Sequence, residues 1–214
     1  MKLGTLAIRG VVGPLFIGHG TQKLFGWFGG HGLEGTAGFF EQGLGLRPGR
    51  RHAIAAGGAE ALGGLLLTLG ALTPIAASMI TGTMVTAIRK VHASKGPWVT
   101  EGGYEYNASI IAMMVSVAES GPGRPSVDEA MFPRMKGTGW AVLALGAGAA
   151  GSWLATSDLF NEKVDAAAQQ VQEPGAGQGG EHQPQDTAGT GADEDASRFS
   201  REQEQAPTNA APDR

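Results

Sequence analysis

Five long apolar segments, separated by short polar ones, make up about the first 160 residues of the chain, and a polar segment follows them to residue 214. Most of these segments approach the ~20 residues that a helix needs to cross the hydrocarbon core of a bilayer. The pattern predicts an all-α fold, a transmembrane bundle of four helices plus a fifth, with a disordered C-terminal tail. The predicted spans are residues 3–28, 52–72, 75–91, 103–117 and 139–155.

Proline and glycine mark where the predicted helices end. Thr73-Pro74 separates the second span from the third, because proline breaks the helical hydrogen-bond ladder and restricts the residue before it. A hinge this short makes the two spans antiparallel. Gly121-Pro122-Gly123 ends the fourth span. The pair Phe39-Phe40, in the glycine-rich loop after the first span, suits a short segment that lies on the headgroups.

The fifth segment has no charge and carries Trp140 and Trp153 near its ends, as expected of residues at the two membrane interfaces. Its glycines and alanines over residues 146–151 allow a neighbouring helix to approach closely. At roughly 17 residues it is at the lower limit for spanning. Four membrane helices are therefore the alternative.

The polar tail nearly hides the membrane character, because the mean hydropathy of −0.07 averages it with the apolar segments. Residues 161–214 contain 11 acidic and 4 basic side chains, a net charge of −7, which leaves +3 for the rest of a chain whose total is −4. So few apolar residues cannot offset the entropy of ordering the tail. The predicted domains are a bundle over 1–125, a loop with the fifth helix over 126–160, and an acidic disordered tail over 161–214.

Ionisable residues inside apolar spans indicate a functional site, because each costs several kcal/mol in a bilayer unless it is paired or hydrated. His19 and Glu60 both lie on the order of 12 Å from the same membrane face, at a rise of 1.5 Å per residue. Gln22 and Lys23 share a helix face with His19, at spacings of i+3 and i+4. His19 and Glu60 are the predicted catalytic pair, which would handle protons.

The third span ends on the same face with three basic residues, and the fourth begins there with polar ones, so four helices bring polar groups to one half of the bundle. The predicted cofactor-binding residues are Gln22, Lys23, His92, Glu105 and Asn107. No metal site is predicted.

The alternative to a functional site is a structural role for these charges. In that interpretation Glu60 forms an ion pair with Lys23 or Arg89 that only fixes helix register. Arg9 is interpreted as an end residue that snorkels to the interface. His31, His52 and His182 are interpreted as loop or tail residues. The chain has no cysteine, which excludes a disulfide, a thiolate-held iron-sulfur cluster and a thiol relay of its own.

Several motifs occur together in a fixed order: His19-Gly20, Gln22-Lys23-Leu24-Phe25-Gly26, the segment 56–64 around Glu60, Leu72-Thr73-Pro74, His92, and Gly102-Gly103-Tyr104-Glu105-Tyr106-Asn107. Over approximately residues 3–125 the chain thereby resembles the DoxX family of small bacterial membrane proteins. The resemblance implies a four-helix bundle in the bacterial cell membrane, and the family is named for a subunit of a thiosulfate:quinone oxidoreductase. The fifth helix and the acidic tail depart from the minimal form of the family.

The leading functional hypothesis is a membrane subunit of an oxidoreductase system that binds a quinone or handles protons through its polar pocket. The alternatives are a non-enzymatic assembly or scaffold subunit, whose acidic tail recruits a partner, and a pathway for protons or small solutes. The cofactor is left open, with quinone as the candidate; haem held by His19 and His92 is disfavoured, since nothing distinguishes that pairing from chance. The expected partners are the lipid bilayer and either another protein or a second copy, with no nucleic acid.

Basic residues in the loops predict how the chain lies in the membrane. The loops after the first and third spans carry them within 47–51 and 89–95, whereas the turn after the second span has none. Since cytoplasmic loops are enriched in Lys and Arg, the N-terminus is predicted outside and the C-terminal tail in the cytoplasm. Three basic residues within 124–136 count against this orientation.

Overall fold

The computed structural model describes residues 2–158, and the predicted disordered tail lies outside the described residues. The described part is all-α, as predicted, with five long helices and two short ones. The helices are α1 (Leu3–Phe25), α2 (Gly32–Gly38), α3 (Gly49–Leu69), α4 (Thr73–Ala87), α5 (Glu105–Ser120), α6 (Val127–Met131) and α7 (Thr138–Ala155). π-helical turns at Phe39–Gly43 and Ile88–His92 extend α2 and α4.

Each of the five predicted spans corresponds to one long helix, with ends that differ by a few residues. α1 ends before Gly26 and α3 before Gly70, because both glycines adopt the left-handed conformation that closes a helix, with φ of 73° and 61°. Pro74 lies in the first turn of α4, where a missing backbone N–H costs no helical bond. The segment predicted to lie on the headgroups, around Phe39, is the junction of α2 and its π-helical turn.

Helices α1 and α3 approach closely because glycine lines both sides of their contact. A Cβ atom at Gly20 would lie 2.4 Å from the backbone N of Ala61, and one at Gly64 would lie 2.7 Å from the backbone N of Ile17. Gly13 on α1 and Gly57 on α3 continue the contact, each seven residues from the other glycine of its helix. Small residues with this spacing let helix backbones meet in lipid.

Helix α7 packs against α4 and α5 and completes the bundle. Its closest approach to α4 is at Gly148, where a Cβ atom would lie 2.7 Å from the carbonyl oxygen of Ser78. The hydrophobic core between these helices includes Ile80, Met114 and Val117, all fully buried. The fifth segment of the sequence is thus a helix of the same bundle.

Large apolar side chains cover the outside of the bundle, including Val11 (59% exposed), Val142 (64%) and Leu143 (63%). An exposed apolar surface of this extent is suited to hydrocarbon and not to water. By length and mean hydropathy alone, one helix among residues 2–158, α3, is long and apolar enough to cross a membrane.

Arg9 is buried and does not snorkel, so that interpretation is wrong. Its guanidinium donates to four backbone carbonyls, those of Leu67 (3.2 Å), Thr68 (3.0 Å), Pro122 (2.9 Å) and Pro125 (2.8 Å). Two of these carbonyls, those of Leu67 and Thr68, belong to the last turn of α3, where carbonyl groups run out of helical donors; the Gly70 N–H donates to the Leu67 carbonyl as well. Arg9 therefore joins the end of α3 to the loop after α5.

Asp128 of α6 is also buried and closes the start of α4. Its carboxylate accepts from the backbone N–H groups of Leu72 (2.7 Å) and Thr73 (2.8 Å), and its own N–H donates to the carbonyl of Gly70 (2.9 Å). A carboxylate is favoured at a helix N-terminus by the free N–H groups and the helix dipole. The α3–α4 turn is thus held from both of its ends.

The glycine contact between α1 and α3 predicts that Gly20→Ala destabilises the bundle, because its Cβ meets backbone that cannot move aside. We expect a loss of about 1–3 kcal/mol in the free energy of unfolding. Gly18→Ala is the matched control, since nothing lies within 4 Å of a Cβ atom there. Thermal unfolding in detergent, followed by circular dichroism, compares them; equal midpoints would contradict the close contact.

Candidate functional site

A cavity of about 660 Å³ lies in the half of the bundle where α1, α4 and α7 end and α3 and α5 begin. We call this the cavity half. All five long helices contribute side chains to the cavity wall, and most of that wall is apolar or made of small residues. Three alanines of α3, Ala55, Ala56 and Ala59, form one side, and Gly148 and Gly151 of α7 form another.

The charged group at the cavity wall is an ion pair between α1 and α3. Lys23 Nζ lies 2.6 Å from Glu60 Oε2, and the side chains are 27% and 7% exposed. The pair forms where Gly20 and Gly57 bring the two helices together. Lys23 is thus the partner of Glu60, while Arg89 donates to the hydroxyl of Thr156 at 2.8 Å.

His19 lines the same cavity, one helical turn before Lys23. Its Nδ1 lies 3.2 Å from Gln22 Oε1, and its ring meets the Phe16 ring edge to face with centroids 6.2 Å apart. Gln22 is not part of the cavity wall, and its amide nitrogen donates to the Phe28 carbonyl at 3.4 Å. Gln22 thus contacts His19 from outside the cavity wall.

His92 and Asn107 line the cavity from α4 and α5. His92 Nδ1 lies 2.6 Å from the carbonyl oxygen of Gly102. The buried Asn107 amide donates from Nδ2 to Met84 Sδ at 3.4 Å. Four helices thus place His19, Lys23, Glu60, His92 and Asn107 around one space.

Glu105 lies outside the cavity, although it was predicted to bind a cofactor. Its Oε1 accepts from the backbone N–H of Val99 at 2.8 Å. The carboxylate thereby holds the turn at Val99–Glu101 against the start of α5. In the structure the Glu105 carboxylate thus makes a backbone contact and is not part of the cavity wall.

His52 was interpreted as a loop residue, and that interpretation is wrong. Because α3 begins at Gly49, His52 lies in the first turn of the helix, where it is buried and lines the cavity. The spacing of His52, Ala56 and Glu60, four residues apart each time, is the signal that could have found it. His31 is exposed, and His182 lies outside the described residues.

Hydroxyl groups on α4 and α7 were also missed. Thr86 Oγ1 donates to Ser152 Oγ at 2.8 Å, and both residues line the cavity. Nothing in the sequence distinguishes these side chains from other small polar residues. Within residues 2–158, no group of three or more potential His, Asp or Glu ligands comes together in a way that could hold a metal ion.

The fold and the cavity define a helical bundle with an apolar outer surface and a polar site in one half. The sequence profile of the DoxX family matches residues 4–93. The protein of Bacillus subtilis (strain 168) named "Putative oxidoreductase CatD" is 30% identical over 135 residues, which cover 63% of this chain and 92% of that protein. The chain belongs to the DoxX family, a family of membrane proteins. No solved structure matches it.

The ion pair predicts energetic coupling between Lys23 and Glu60, measurable with Lys23→Met, Glu60→Gln and the double variant. Each single variant leaves one charge unpaired at the cavity wall, at a cost of about 1–3 kcal/mol, below that of a fully buried pair because solvent reaches Lys23. The double variant is expected to lose less than the sum of the two, with a coupling of about 1 kcal/mol or more.

The control is the pair Arg50 and Glu34, whose charged atoms are 3.5 Å apart and whose side chains are 63% and 85% exposed. Arg50→Met and Glu34→Gln are expected to couple by no more than ~0.5 kcal/mol. The free energy of unfolding of each variant, measured in detergent, gives the coupling energy of both pairs. A coupling for Lys23 and Glu60 no larger than the control would contradict the geometry.

Proposed function

We propose that the chain is the membrane subunit of an oxidoreductase system and that its cavity binds a membrane quinone. The observation that carries the proposal is an open cavity with largely apolar walls and a few polar groups gathered in the cavity half. Its volume of about 660 Å³ falls within the range of small-molecule sites, ~300–1,000 Å³. The family and the name of the Bacillus subtilis relative support an oxidoreductase role.

A quinone has an apolar ring and tail and two polar oxygens, and the cavity wall has apolar surfaces with a few polar groups. An apolar ring and an isoprenoid tail need apolar contacts, which Phe16 and the alanines of α3 supply. Conversion between quinone and hydroquinone moves two electrons and two protons. His19 and Glu60 would hold those protons, because both residues line the cavity and both side chains can take up and release a proton.

The electrons would come from a partner protein. With no cysteine in the chain, thiol chemistry of its own cannot supply them. Because the acidic tail carries a net charge of −7, it would recruit a basic partner surface. In the proposed orientation the cavity half and its basic loops face the cytoplasm.

A second candidate function is that of a non-enzymatic assembly subunit. This function is favoured by the Lys23–Glu60 pair. A contact of 2.6 Å between the tightly packed helices α1 and α3 would fix the register of one helix against the other. In this function the cavity would hold only lipid, and the charges would matter for stability alone.

Filling the cavity tests quinone binding without touching a charged group. Ala59 lines the cavity on α3, and Ala59→Phe is expected to exclude a bound ring. Ala108→Phe is the matched control, because Ala108 is exposed on α5 and is not part of the wall. The measurement is the quinone extracted from protein purified in mild detergent, per mole of protein.

We expect quinone near equimolar amounts in the native protein and the control variant, and a loss of at least fivefold in Ala59→Phe. Equal amounts in both variants would show that the quinone is bound elsewhere. Absence of quinone from the native protein, together with normal partner assembly by Glu60→Gln, would favour the assembly function.

A further inference from the structure

Three side chains of the cavity wall are oriented by protein contacts that leave each of them one further hydrogen-bond acceptor. They are His19, His92 and Asn107, from three different helices. The inference drawn from them rests on the proposed function, and it names which redox form of the quinone the site prefers.

The orientation of His92 is set by the backbone. Its Nδ1 lies 2.6 Å from the Gly102 carbonyl oxygen, which can only accept, so Nδ1 of the neutral ring must carry the proton. The other nitrogen, Nε2, is then a lone-pair acceptor. Within residues 2–158, no hydrogen bond to that nitrogen is formed by another part of the chain.

The orientation of His19 is set by Gln22. The Gln22 amide nitrogen donates to the Phe28 carbonyl, which identifies the Gln22 atom facing His19 Nδ1 as the oxygen. An oxygen acceptor at 3.2 Å again requires the proton on Nδ1 of the neutral ring. His19 Nε2 is therefore a second acceptor in the cavity wall.

The orientation of Asn107 is set by Met84. A thioether sulfur accepts hydrogen bonds and cannot donate, so the amide group at 3.4 Å from Met84 Sδ is the NH₂ and not the oxygen. Asn107 is 6% exposed and lines the cavity, and no donor among the described residues meets its Oδ1. This oxygen is the third acceptor.

Lys23 Nζ uses one of its three N–H groups to donate to Glu60 at 2.6 Å. We propose that the cavity selects hydrogen-bond donors and therefore binds a hydroquinone more tightly than the corresponding quinone. The two ring hydroxyls of a hydroquinone can donate to acceptors in the wall. The carbonyl oxygens of a quinone cannot donate, so His19 Nε2, His92 Nε2 and Asn107 Oδ1 would remain without a hydrogen bond when the quinone is bound.

The test compares decylubiquinol with decylubiquinone, a pair of the same size and tail that differs in two hydrogens. Each is titrated into the full-length protein in detergent, without oxygen, by isothermal titration calorimetry. We expect decylubiquinol to bind about tenfold more tightly, the factor that one hydrogen bond of upper-range strength provides. Equal affinities, or tighter binding of decylubiquinone, would overturn the inference and leave the proposed quinone site intact. Binding of neither form would overturn both.

Variants show which acceptor carries the preference. Asn107→Leu and His92→Phe each remove one acceptor at nearly constant size, and either is expected to lower the affinity ratio of the two forms by about threefold or more. A merely structural role would weaken both forms equally and leave the ratio unchanged. His31→Phe is the control, because His31 is exposed and lies outside the cavity wall. An unchanged ratio in both cavity variants would contradict the assignment of acceptors.

Discussion

The close backbone contact between α1 and α3 is the constraint on which the rest of the structure depends. In a bilayer, burial of apolar side chains between helices gains little, because lipid tails are equally apolar, so helices are held by tight packing and polar contacts. Gly20 and Gly64 permit that packing, since a Cβ atom at either position would overlap backbone of the other helix. The same approach brings Lys23 within 2.6 Å of Glu60.

The two halves of the bundle differ in how the hydrogen-bonding groups of their buried polar side chains are used. In the half opposite the cavity, Arg9 and Asp128 are buried. Their side chains form hydrogen bonds with backbone groups of helix ends and loops. Such groups stabilise the fold and have little capacity left for a ligand. In the cavity half, His92 and Asn107 each use one polar atom for a protein contact and have another remaining. Our proposal therefore places ligand recognition in that half.

The fold could be predicted from the sequence to the extent that the bilayer dictates the pattern. Each membrane helix has to be apolar over most of its length and has to end at a breaker, so the helices were located within a few residues. The pair of Lys23 and Glu60 could also be found, because charges are rare in such segments. His52 was missed because the start of α3 was placed three residues too late. A boundary error of that size is enough to turn a buried helical side chain into an apparent loop residue.

Contacts between distant parts of the chain could not be predicted in the same way. The acceptors of Arg9 in the loop after α5 are carbonyl oxygens more than 110 residues away, and backbone groups leave no trace in a sequence. Glu105 shows the reverse case, in which a carboxylate that looked like a ligand bonds to a nearby backbone N–H. Side-chain identity indicates which groups are available, and only the fold decides whether a ligand or the backbone uses them.

The central claim is the proposal that a quinone binds in the cavity lined by the five long helices. Photolabelling with an azidoquinone, followed by mass spectrometry of the labelled peptides, tests this most directly. Saturable labelling confined to the cavity wall, within residues 16–23, 52–60, 78–92, 99–107 and 147–156, and displaced by unlabelled quinone, is the predicted result. Label spread over lipid-facing positions such as Val11 and Val142, with no displacement, would contradict the claim.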